Sequence, residues 1–85
     1  MKKTITYPTQ GTCSQAIIVT LNEDRTIAQV SFAGGCHGNT QGVAALVQGM
    51  QAEEAIARLE GIDCRGRGTS CPDQLAKALR KALEE

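Results

Sequence analysis

Four cysteines, Cys13, Cys36, Cys64 and Cys71, are the residues of this 85-residue chain with the most obvious chemistry. Thiolates ligate soft metals, exchange disulfides and attack electrophiles, and the compartment decides among these roles. An exported domain of this size would put four cysteines into disulfides, whereas a reducing compartment leaves them to a metal or a redox site. After Met1-Lys2-Lys3 the chain continues Thr4-Ile5-Thr6-Tyr7-Pro8-Thr9-Gln10, with neither an apolar h-region nor a small-residue cleavage site. No stretch has the length and apolarity of a membrane span. The expectation is a cytoplasmic protein, away from membranes, with reduced thiols.

The intervals between the cysteines are 22, 27 and 6 residues. There is no Cys-x-x-Cys pair, so neither a zinc finger nor a thioredoxin-type oxidoreductase is spelled out. All four fall where the sequence changes from one element to the next. One cysteine so placed reads as a small buried hydrophobe. Four of them favour convergence on Zn²⁺ or an iron–sulfur cluster, since both accept four thiolates. Cys36 and Cys71 stand where helices open, and unpaired N–H groups there favour negative charge. Arg65 and Arg67 flank Cys64. They could offset the charge of four thiolates on a divalent ion, or lie on a solvated loop. His37 is a candidate ligand or base, although adjacent side chains in an extended turn diverge. Gly34-Gly35 to Thr40 lacks the Lys-Ser/Thr ending of a phosphate loop.

The elements that must position these residues follow from patterning. Lys3 to Tyr7, Ala16 to Leu21 and Thr26 to Phe32 read as strands, with Asn22-Glu23-Asp24-Arg25 as the turn of a hairpin. Val43, Leu46, Val47 and Met50 recur at helical spacing, giving a helix over about 40–48, with Asn39 or Thr40 as its cap and Gly49 as its stop. A second helix spans about 52–60 and stops at Gly61. The last opens at Ser70-Cys71-Pro72-Asp73, where Pro suits the first turn and Ser70 with Asp73 makes a capping-box-like pair. Three strands followed by helices predict an α+β two-layer domain over residues 1–85, a three-stranded antiparallel sheet with about three helices on one face.

Composition limits the function. Lys plus Arg equals Asp plus Glu, 9 against 9, which argues against an electrostatic nucleic-acid binder. Tyr7 and Phe32 are the only aromatics. The core must therefore be built from Ala, Val, Ile and Leu. Such a small core often needs a staple, and a structural metal is one.

The run Thr69-Ser70-Cys71-Pro72-Asp73 spells a signature, and with Gly34-Gly35-Cys36-His37-Gly38-Asn39 it resembles the TSCPD domain family, in particular its stand-alone four-cysteine members. The resemblance covers essentially the whole chain and implies metal binding through the cysteines. The same domain type closes some adenosylcobalamin-dependent ribonucleotide reductases. The likeness therefore also allows an accessory or detached reductase-related domain that binds a nucleotide, which nothing in the charge pattern demands. A more distant resemblance is to NifU/IscU-type iron–sulfur scaffold proteins, whose three cluster-binding cysteines look like Cys13, Cys36 and Cys71. The turn at Asn22 to Arg25 and Gly49 followed by Glu53-Glu54-Ala55 are also similar. Gln15 and Ser70 stand where the scaffolds carry Asp and His, and Cys64 is extra.

Together these readings predict a small non-catalytic domain that binds Zn²⁺ or an iron–sulfur cluster through Cys13, Cys36, Cys64 and Cys71. The alternatives are an iron–sulfur carrier, a thiol redox protein pairing Cys64 with Cys71, and a reductase-linked module. A protein partner is expected for the last and is not identified by the sequence.

Overall fold

A computed structural model describes residues 2–10, 14–34, 37–63, 66 and 68–85. The element order is β1 (Lys3–Pro8), β2 (Ser14–Leu21), β3 (Ile27–Gly34), α1 (His37–Val47), α2 (Ala52–Leu59) and α3 (Cys71–Glu84). The strands form one antiparallel sheet in the order β1-β2-β3. This is the α+β arrangement that the element order predicts.

Register explains why the alternation in the sequence looks imperfect. Ile5 pairs with Val19 and Tyr7 with Ile17, and on the other side of β2 Val19 pairs with Val30 and Ile17 with Phe32. These residues face the helices. Thr4, Thr6, Ile18, Thr20, Gln29 and Ser31 take the other face, where the hydroxyls of Thr4 and Thr20 meet at 3.0 Å. Near the hairpin the pairing shifts from Thr20↔Gln29 to Leu21↔Ile27, which leaves Ala28 as an extra residue. Such a bulge reverses the side-chain parity of β3. Ile27 and Val30, three apart, can therefore both be buried.

The turn is tied by its polar residues. The Asn22 N–H donates to the Thr26 carbonyl at 2.9 Å, and Asp24 accepts from the Thr26 N–H and hydroxyl. These local side-chain bonds suit a turn that carries Arg25 at φ 69°.

The helices cover one face. α3 lies on β1 and β2, α1 on β3, and α2 against α3. Ile17, Val19, Leu75, Ala76, Ala78, Leu79 and Ala82 are essentially inaccessible. The alanines let α3 approach its neighbours closely, while Tyr7 and Phe32 sit half-buried at the margin. Gly49 (φ 88°) and Gly61 (φ 86°) end the first two helices in the left-handed conformation that glycine adopts at no steric cost. The segment after α1 then pairs with the start of β3: the Gly49 N–H donates to the Ile27 carbonyl at 2.8 Å, and the Ile27 N–H to that of Met50 at 2.9 Å.

Two expectations need correction. α1 begins at His37, about three residues early, so Asn39 and Thr40 lie inside it and neither is its cap. Leu46, read as part of the apolar stripe, is 79% exposed. The main neighbour of α1 is β3, so its covered stripe is narrow and runs through Thr40, Val43, Ala44 and Val47.

Leu79 is fully buried between α3 and its neighbours. Leu79→Ala should cost about 2–5 kcal/mol, a large share of the total for a domain of this length. Urea denaturation of the two proteins checks this, and a loss well below that range would contradict the core position described.

Candidate metal site

Of the four cysteines, Cys71 lies among the described residues; Cys13, Cys36 and Cys64, with Arg65 and Arg67, lie outside them. Cys71 is the first residue of α3 and is half-buried. The residues around it are fixed by a closed set of hydrogen bonds. Ser70 is the N-cap: its Oγ accepts from the Asp73 N–H at 3.1 Å and donates to the Ile62 carbonyl at 2.6 Å. Pro72 falls in the first turn, where its missing N–H is no loss. The expected capping box is half made, because the Asp73 carboxylate goes elsewhere. It accepts from the Gly61 N–H at 2.7 Å and from the Thr69 hydroxyl, and the Lys77 ammonium stands at 3.5 Å.

Thr69, Ser70, Asp73 and Gln74 are all buried. Burial alone would raise the Asp73 carboxyl. The bonds from Thr69 and Gly61 and the charge of Lys77 outweigh it, so Asp73 stays below the ordinary carboxylate range. Among the described residues no buried side-chain nitrogen or oxygen lacks a partner.

Gln74 extends this set across the fold. Its Nε2 donates to the Thr69 hydroxyl at 3.0 Å, and its Oε1 accepts from the Gln10 N–H at 3.2 Å. Gln10 belongs to the turn between β1 and β2, which the Thr9 N–H closes on the Gln15 carbonyl at 3.2 Å. At the same end of the sheet Ser14, which follows Cys13 in the chain, pairs with Gly34, which precedes Cys36 by two residues. Between α2 and α3 the Asp63 carboxylate accepts from the N–H groups of Gly66 and Gly68, closing the loop whose sequence includes Cys64.

His37 opens α1, and the role expected of its side chain lies outside what is described. Among the described residues no group of three or more His, Cys, Asp and Glu could hold a metal. No helix of the described residues is long and apolar enough to cross a membrane.

The capping role of Ser70 is legible in the sequence. Two other structural residues are less so. Asp63 with glycines three and five residues on has the look of a side chain that caps its own loop. Gln74 carries no signal, since a glutamine in an amphipathic helix reads as a surface residue.

A three-stranded antiparallel sheet with three helices on one face and a cysteine held at the mouth of the last helix defines a small α+β cysteine domain. The chain belongs to the TSCPD domain family, whose model matches residues 1–83. No curated protein and no solved structure matches it.

Ser70→Ala removes the cap and the bond to Ile62 and should cost about 0.5–2 kcal/mol. Because the Asp73 carboxyl is lowered in the folded state, the stability it adds is complete above the ordinary aspartate value of about 3.9. That stability is lost as pH falls through the lower folded value. Asp73→Asn should therefore melt less steeply with acid than the native protein, as read by thermal denaturation from neutral to strongly acid pH. An unchanged acid slope would mean that the carboxylate is not held as described.

Proposed function

We propose that this is a metal-binding domain, non-catalytic on its own, in which Cys13, Cys36, Cys64 and Cys71 together hold Zn²⁺ in preference to an iron–sulfur cluster. The observation that carries the reading is the turn around Cys71. Thr69, Ser70, Pro72 and Asp73 are engaged in building it, by hydrogen bonds or by the fixed geometry of proline. The thiol is thus presented on a rigid frame, as a ligand has to be. The anchors nearest the other cysteines support the same reading. Ser14 and Gly34 share one rung of the ladder, and Gln10 is bonded to Gln74 on α3. Segments that flank Cys13 and Cys36 are therefore drawn toward the end of the molecule where Cys71 stands.

The donor set fits this group. Four thiolates satisfy tetrahedral Zn²⁺, and a closed site supplies a cross-link with no open position for substrate. Such a cross-link suits a domain with so few large core residues. The likeness to iron–sulfur scaffolds would instead give a carrier, and a fourth thiolate would hold a cluster more firmly than a donor needs.

Elemental analysis and an absorption spectrum of protein purified without oxygen test the proposal. One zinc per chain, a colourless sample and a lowered melting temperature after chelation are expected. Iron with sulfide and visible absorption would move the assignment to a cluster. Neither metal, with all four thiols titratable, would overturn the metal reading.

A further inference from the structure

We infer that Gln74 is a positioning residue for the Cys71 site, its carboxamide fixing the turn between β1 and β2 against the turn that presents Cys71. The inference rests on the four-thiolate reading above and adds to it a residue that is not itself a ligand.

The placement is specific. Gln74 stands one helical turn after Cys71, and helical side chains lean back toward the N-terminus, so its amide lies over the first turn of α3. It is 3% exposed and borders a stripe of Leu75, Ala76, Ala78 and Leu79. A carboxamide is costly to bury unless its donor and acceptor are both used. Here both are: Nε2 on Thr69, two residues before Cys71, and Oε1 on the Gln10 N–H. Gln10 stands three residues before Cys13, a tether of roughly 10 Å at full stretch. One side chain thus bonds the approaches to two cysteines that are 58 positions apart in sequence. For packing alone a leucine would serve, so the amide is explained by what it joins.

The test compares Gln74→Leu with the native chain and with Ile27→Val, a core change at the hairpin end of the sheet. The reduced proteins are titrated with Co²⁺ and followed by thiolate-to-cobalt absorption. Gln74→Leu should bind about 10–100-fold more weakly, as other supporting-residue changes do at metal sites. Ile27→Val should bind as the native chain does, although it also lowers the melting temperature. Gln74→Glu keeps the acceptor for Gln10 and loses the donor to Thr69. It should fall between the two, and it carries the comparison if the leucine variant does not fold.

A metal-free measurement stands beside this. With Cys36 and Cys64 replaced by serine, a short bis-maleimide should join Cys13 to Cys71, and Gln74→Leu should cut the yield several-fold. Equal cobalt affinity and equal cross-linking in Gln74→Leu and the native chain would overturn the inference, as would an equal loss in Ile27→Val. If the native chain takes up no cobalt, the four-thiolate reading falls and cross-linking alone decides the role of Gln74. Failure of the native Cys13–Cys71 pair to cross-link would then overturn it.

Discussion

A buried carboxylate cannot be left without partners, and the fold is arranged around satisfying the one on Asp73. Its oxygens take the Gly61 N–H from the end of α2 and the Thr69 hydroxyl from the loop ahead of α3, with Lys77 beside them. Each lost partner would leave a buried polar group costing about 1–3 kcal/mol. A helix end, a loop and a helix start are therefore fixed relative to one another by one side chain. Ser70 and Gln74 extend the same constraint to Ile62 and to the β1–β2 turn. Apolar packing alone tolerates sliding of one surface over another. A saturated polar cluster does not, so the described residues that share these bonds are held in one register.

The remainder of the fold depends on small side chains. Ala52, Ala55, Ala76, Ala78 and Ala82 are all buried, and the two aromatics stay at the edge. Alanine loses no side-chain entropy on folding and allows close approach, but it removes little apolar area from water. The larger contributions come from Ile17, Val19, Ile27, Leu75 and Leu79, which are inaccessible. The bulge at Ala28 belongs to this layer, because without the parity change Ile27 and Val30 could not both face the helices.

Much of this was legible in the sequence, and the failures have physical causes. Strand and helix order, the stops at Gly49 and Gly61 and the N-cap at Ser70 follow from local chemistry that tertiary packing does not overrule. α1 starts earlier than its pattern predicts because His37, Gly38 and Asn39 are poor helix formers held helical by their context. Leu46 is exposed despite its place in the stripe because periodicity gives a stripe but not how many neighbours cover it. The role of Gln74 was invisible because it depends on contact with Gln10, far away in sequence. Of the four cysteines, Cys71 falls at the helix opening that its motif predicts; the other three lie outside the described residues.

The turn around Cys71 separates architecture from chemistry within five residues. Thr69, Ser70, Pro72 and Asp73 build the helix start, with bonds that run to each other, to Gly61, to Ile62 and to Gln74, and with Lys77 beside the carboxylate. On the proposed reading, a cross-link from Cys71 to Cys13 and Cys36 joins positions distant along the chain. Closing long loops restricts the unfolded chain more than closing short ones. The gain would come without any enlargement of the core, where an alanine-rich interior has little left to give. The polar cluster and the thiolates would then divide the work: Asp73, Ser70 and Gln74 define where the turns stand, and the metal holds them there.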